Sequence, residues 1–158
     1  MSENEIDILL VDDSRDDVDL TLHALRAENL ANRVFVARDG EEALDFLFCA
    51  GPHAGRTFEK PPKLVLLDLK LPKVDGMQVL KQVKGDSRTH TIPVVLMTSS
   101  REERDMASAY NLGANSYLQK PVNFGEFQKM VKLLGLYWLV VNQPPAAADV
   151  PQQIKQAR

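Results

Sequence analysis

Polar and charged side chains stand where four short apolar runs end: Asp12-Asp13 after Ile6-Asp7-Ile8-Leu9-Leu10-Val11, Asp68 after Leu64-Val65-Leu66-Leu67, Thr98 after Ile92 to Met97, and Lys120 after Ser116-Tyr117-Leu118-Gln119. An apolar run of four to six residues bounded by turn residues reads as a buried strand. A charge is excluded from such a strand but tolerated at its carboxyl end, where open parallel sheets place their ligand crevices. If the strands lie side by side, three carboxylates converge. They repel one another, and one would hold a proton unless a cation sits among them. A hard dication held by few carboxylates describes Mg²⁺. With that ion and the Lys120 ammonium, a tetrahedral anion could be held beside Asp68, and Thr98 offers it a hydroxyl. Asp68 is then the candidate nucleophile for phosphoryl transfer, where positioning and charge neutralisation do most of the work.

Taken singly, the pieces have plainer readings. Asp12-Asp13-Ser14 suits a helix cap, Lys-Pro suits a surface turn, and a threonine often ends a strand. A strand-terminal Asp68 resists this treatment, because an unpaired buried carboxylate is costly. The order of the four strand ends carries the argument.

The elements between them alternate. Ser14 caps a helix over roughly 14–28, with Asp16 and Asp17 favouring its positive start. Arg33 to Ala37 is a second strand. Asp39-Gly40 punctuates the chain before a helix over Glu41 to Cys49. Residues 50–63 carry two glycines and three prolines and form a loop whose length marks it as a candidate functional segment. After Asp68, Pro72 and Asp75-Gly76 make a turn into a helix over Met77 to Lys84. Thr98 is followed by a helix over Arg101 to Leu112, with Gly113 at its C′ position. Asn123 caps a last helix running to Gly135 or beyond. Strand–helix repeated five times implies a doubly wound five-stranded parallel sheet with helices on both faces; if its order is 2-1-3-4-5, the first and third strands adjoin.

The chain has 158 residues, 44% hydrophobic and 26% charged, which suits one domain with a sizeable core. The net charge of −3, with the acids spread out, argues against nucleic acid or an anionic membrane as the main partner. The single Cys49 permits no intramolecular disulfide, and no N-terminal signal segment or membrane-length apolar run is present, so the expectation is cytoplasmic. The domain is expected over 1–142 and a disordered Pro/Ala/Gln-rich tail over 143–158. His53 reads as a loop residue, Cys49 as a small packing residue and His23 as surface.

The chain resembles the receiver domain of bacterial two-component response regulators. The resemblance covers about Ile6 to Leu134. It rests on Leu10-Val11-Asp12-Asp13-Ser14, Leu67-Asp68 through Asp75-Gly76, Pro93 through Thr98-Ser99, and Gly113 through Lys120-Pro121. It implies a flavodoxin-like fold and no enzymatic turnover beyond self-catalysed phosphotransfer and autodephosphorylation. Asp68 would take the phosphoryl group from a kinase phosphohistidine. Asp13 and Asp68 would bind Mg²⁺, Lys70 would supply its backbone carbonyl, and Asp12 would act mainly through metal-bound water. Thr98 would close on the phosphoryl group, Lys120 would pair with it, Tyr117 would swing inward on activation, and the Lys120–Pro121 bond would be cis. Lys70 departs from the polar or small residue frequent at its position and would alter autodephosphorylation.

No output domain is expected after Leu134, so the chain reads as a stand-alone receiver that binds a partner or relays phosphate. The last helix has one apolar face at Phe124, Phe127, Val131 and Leu134. A second lies at Met130, Leu133, Tyr137 and Val140, with Leu136, Trp138, Leu139 and Val141 crowding the end. The second face points to a homodimer through the fourth and fifth helices and the C-terminal segment; the plainer reading folds it back on its own core. The 50–63 loop and Tyr137-Trp138 are similar to single-domain regulators encoded with bacterial phytochromes, which implies a light- or redox-sensing histidine kinase as partner. The alternatives are a Mg²⁺-dependent aspartyl phosphohydrolase, which typically carries Asp-x-Asp after the first strand, and a receiver used as a scaffold. A flavin-binding protein is disfavoured, since no phosphate-binding loop follows the first strand.

Overall fold

The computed structural model describes residues 6–30, 33–99 and 102–146. Five parallel strands form one sheet in the order β2-β1-β3-β4-β5: β1 (Ile8–Val11), β2 (Val34–Ala37), β3 (Leu64–Leu67), β4 (Val94–Thr98) and β5 (Ser116–Gln119). Five helices alternate with them: α1 (Arg15–Ala27), α2 (Gly40–Leu47), α3 (Gly76–Gly85), α4 (Glu103–Asn111) and α5 (Phe124–Leu136). The expected order and class are both met.

Alternation along the strands splits the core between the two faces of the sheet. Leu9, Val11, Val65, Leu67, Val94 and Leu96 face α2 and α3, where Ala43, Phe46, Val79, Leu80 and Val83 bury. Ile8, Leu10, Leu64, Leu66, Val95 and Met97 face α1 and α5, where Val18, Leu25, Phe127 and Val131 bury. Register is continuous across the centre, with Val11 opposite both Ala37 and Leu67. The ends of β1 and β3, which lead into Asp12 and Asp68, are therefore level.

Helix starts follow their caps. Ser14 Oγ accepts from the Asp17 amide at 3.2 Å, Asp39 from Glu42, Asp75 from Gln78 and Asn123 from Glu126. The helices begin and end within two residues of the sequence expectation, and Gly113 takes the expected left-handed conformation at φ +107°. Residue 101, where the fourth helix was expected to start, lies outside the described residues, as do residues 147–158 of the tail. Residues 142–146 form neither helix nor strand.

The 50–63 segment is more built than its composition suggested. A 3₁₀ turn spans Gly51–His53. His53 is buried, its ring edge-on to Phe35 and Phe46 at 5.1 and 5.2 Å. Arg56 is also buried. Its guanidinium lies over the Phe46 ring at 3.8 Å and donates to the carbonyls of Phe46 and Lys60. A cation sealed by an aromatic face and backbone carbonyls gives this stretch a packing role beside β2 and α2. Beyond α5 the chain continues as a π-helical turn, Tyr137–Val141. Trp138 and Leu139 fold back against the α1–α5 core, whereas Leu133, Tyr137 and Val140 are exposed. The plainer reading of the apolar C-terminal segment is therefore met for Trp138 and Leu139.

Candidate phosphoryl-transfer site

The site grows from the hydrogen-bond ladder of the sheet. The Asp12 amide donates to Ala37 O at 3.1 Å, Asp68 N to Val11 O at 2.9 Å, and Lys120 N to Thr98 O at 2.7 Å. Each functional residue is thus the first step beyond a strand, or in Thr98 the last step within one, and its position is set by the neighbouring strand. Gly76 and Asp75, at the start of α3, close the loop that follows Asp68.

Ligand atoms from Asp12, Asp13 and Asp68 lie within 4.8 Å of one another. Asp12 is buried and Asp13 exposed. Burial raises the Asp68 carboxyl to about 6; the Lys120 ammonium opposes that rise and the Asp12 carboxylate adds to it. A carboxylate raised in this way gains from a cation, and the trio of oxygen donors at a strand-end crevice suits a hard divalent ion. Both Asp12 oxygens already have partners: Oδ1 accepts from the Ser14 amide at 2.9 Å and Oδ2 from Lys120 Nζ at 2.9 Å.

Lys120 Nζ donates to Asp12 at 2.9 Å, Asp17 at 2.8 Å and Asp68 at 3.2 Å. Burial alone would lower its pKa, but the hydrogen bond to Asp17 and the charges of Asp12 and Asp68 hold it well above the ordinary lysine value. It is a fixed positive charge. Thr98 and Tyr117 are buried, Tyr117 among the core residues under α3 and α4, with its amide donating to Tyr110 Oη at 3.2 Å. Lys70 is exposed; its amide donates to Asp68 Oδ1 at 3.4 Å. It lines, with Asp13, Pro72, Met77 and Glu102, an open cleft of 660 Å³ beside the carboxylates.

The sequence argument missed Asp17. Its place in the first turn of α1 suggested a role at the helix start alone, and nothing in local spacing signals a contact with a lysine 103 positions away. One expectation is corrected: no peptide bond is cis among the described residues, so Lys120–Pro121 is trans, the isomer that a prolyl bond favours by about 0.5–1 kcal/mol. His23 is exposed as expected, 6.3 Å from the Phe124 ring. Cys49 is half-buried at the end of α2 with φ +56°.

Comparison with known proteins agrees with this geometry. Residues 8–132 match the response regulator receiver domain family. The chain is 40% identical over 147 residues to the probable methanogenesis regulatory protein FilR2 of Methanothrix harundinacea, covering 93% of this chain and 92% of that protein. It is 38% identical to the response regulator Rcp1 of Synechocystis, covering 89% and 93%. The Mn²⁺-bound crystal structure of Rcp1 superposes with a TM-score of 0.81, covering 88% of this chain and 98% of that one. The bacteriophytochrome response regulator AtBRR is 50% identical at a TM-score of 0.67, covering 88% and 99%. No helix among the described residues is long and apolar enough to cross a membrane. With one edge of the sheet holding Asp12, Asp13, Asp68, Thr98 and Lys120, and with these relatives, the chain belongs to the response regulator receiver family of two-component signalling.

Proposed function

We propose that this chain is a single-domain cytoplasmic response regulator that accepts a phosphoryl group on Asp68 and changes its binding partner, or passes the group on, in response. The observation that carries the reading is Lys120 Nζ, 3.2 Å from Asp68 Oδ2, beside three carboxylates whose oxygens lie within 4.8 Å of one another. The Asp68 carboxylate attacks the phosphorus of a kinase phosphohistidine. The N–P bond breaks, an O–P bond forms at Asp68, and the imidazole leaves with a proton. Asp13, Asp68 and the Lys70 backbone carbonyl would hold Mg²⁺, with Asp12 beside them. The ion supplies charge neutralisation when bound. Lys120 offsets the charge of the phosphoryl oxygens, and the Thr98 hydroxyl and Tyr117 ring form the two-state element that the new anion biases. At neutral pH an Asp68 carboxyl raised only to about 6 is mostly ionised and able to attack.

The partner we favour is a phytochrome-type histidine kinase, on the strength of the likeness to the bacteriophytochrome response regulator AtBRR. The single-domain reading rests on relatives matched over 92% and 93% of their own length. We read the 143–158 segment as a tail outside the domain. The exposed Leu133, Tyr137 and Val140 of the C-terminal segment, with exposed Met106 and Tyr110 on α4, support a homodimer through these helices.

Intact mass after incubation with Mg²⁺ and a small acyl-phosphate donor tests the chemistry. One added phosphoryl group that requires Mg²⁺ and vanishes in Asp68→Ala is expected. No adduct, or one indifferent to Asp68, would leave a receiver-like scaffold as the better reading.

A further inference from the structure

We propose that Asp17 is a positioning residue that restrains Lys120, competing with an incoming phosphoryl group for its ammonium. This rests on the reading of Asp68 as the phosphoryl acceptor.

An ammonium has three hydrogens to donate. Lys120 spends them on Asp12, Asp17 and Asp68, at 2.9, 2.8 and 3.2 Å. The contact with Asp17 is the shortest and that with Asp68 the longest. A phosphoryl oxygen arriving at Asp68 must therefore draw a donor from an ammonium whose partners are already carboxylates.

Asp17 is held for this task at its backbone. Its amide donates to Ser14 Oγ at 3.2 Å, and its carbonyl accepts from Thr21 Oγ1 at 2.8 Å. With the main chain fixed in the first turn of α1, the side chain turns toward the sheet and stays only 31% exposed. A carboxylate serving the helix dipole alone would do as well in solvent, where neighbouring Asp16 sits. Asp17 is also separate from the trio suited to a cation, which is Asp12, Asp13 and Asp68. Its charge opposes a phosphoryl dianion without helping to hold the ion, so its effect on the anion is separable from the effect on the metal.

The test uses phosphoramidate as donor, with the full chain in saturating Mg²⁺. The P–N bond of phosphoramidate breaks, the Asp68 O–P bond forms, and ammonia leaves. The rate of phosphorylation is followed against donor concentration. Asp17→Asn is expected to lower the half-saturating concentration on the order of threefold to tenfold, the reach of one partly exposed charge, with the maximal rate within about twofold. Asp17→Glu, which restores the charge, is expected to return the half-saturation toward wild type. A half-saturation in Asp17→Asn that is unchanged or higher, or a loss confined to the maximal rate, would overturn the proposal. Asp17→Ser repeats the measurement should the asparagine variant unfold. A wild-type chain that takes up no phosphoryl group would instead remove the Asp68 reading, before any variant is compared.

Discussion

A Cβ placed on Gly76 would lie 2.3 Å from the carbonyl oxygen of Asp68, so α3 begins in contact with the backbone that carries the central carboxylate. The same atom would meet Leu69 Cα and O at 2.8 Å, and the Gly76 amide donates to Leu69 O at 2.8 Å. All three obstacles are backbone and cannot swing aside. Gly76→Ala is expected to lower stability by about 1–3 kcal/mol and to displace Asp68, slowing its phosphorylation. Gly85, at the other end of α3, has nothing within 4 Å, and Gly85→Ala is expected to be neutral or stabilising by up to about 1 kcal/mol. Thermal unfolding and adduct mass on the two variants read both effects; a tolerated Gly76→Ala would show that the loop after Asp68 yields.

Lys84 makes stability depend on pH. Burial lowers it from the ordinary 10.5 to about 8, although Nζ donates to His90 O at 3.0 Å and Ile92 O at 2.7 Å. The folded chain thus holds this proton more weakly than the unfolded one. Below about 8 both states are protonated and the cost of the buried charge is present in full. Between there and 10.5 the unfolded chain binds more protons, so this contribution to stability rises with pH. The melting temperature of wild type relative to Lys84→Met should climb from pH 7 to pH 10. A flat difference would sink the assignment.

Lys70 stands exposed over the cleft beside Asp13 and Asp68. Its ammonium can both attract the phosphoryl oxygens and stand in the path of hydrolytic water. Lys70→Asn is expected to shorten the half-life of the Asp68 phosphoryl group on the order of twofold to fivefold, the range of an exposed charge. Decay followed by loss of the adduct mass after donor removal measures it, and an unchanged half-life would remove the idea.

The exposed Leu133 and Tyr137 border a groove with Leu118, Met130 and Trp138. If two copies cover this surface, Leu133→Glu would bury an unpaired charge in the interface. Sedimentation equilibrium should show a concentration-dependent dimer for the wild-type chain and a shift toward monomer in the variant, with the unfolding midpoint of the monomer little changed. A monomer mass for wild type at every concentration would rule out the dimer.

Much of this protein is determined locally by its sequence. Short apolar runs bounded by prolines, such as Leu64 to Leu67 between Pro61-Pro62 and Pro72, read as buried strands, and side chains such as Ser14, Asp39, Asp75 and Asn123 start helices within their own first turn. Both effects act over a few residues, so the alternation of strands and helices was legible from the residues themselves; the sheet order, and with it the convergence of Asp12, Asp13, Asp68, Thr98 and Lys120, was legible through the resemblance to the receiver family. The tertiary structure alone decided what depends on distant partners. Asp17 finds Lys120 across 103 positions, Arg56 is sealed over Phe46 in what read as an open loop, and Lys84 spends its ammonium on two carbonyls of the following loop. Long polar side chains reach in several directions, and their exposure is set by the packing around them. Periodicity places a residue on a face but does not choose its partner.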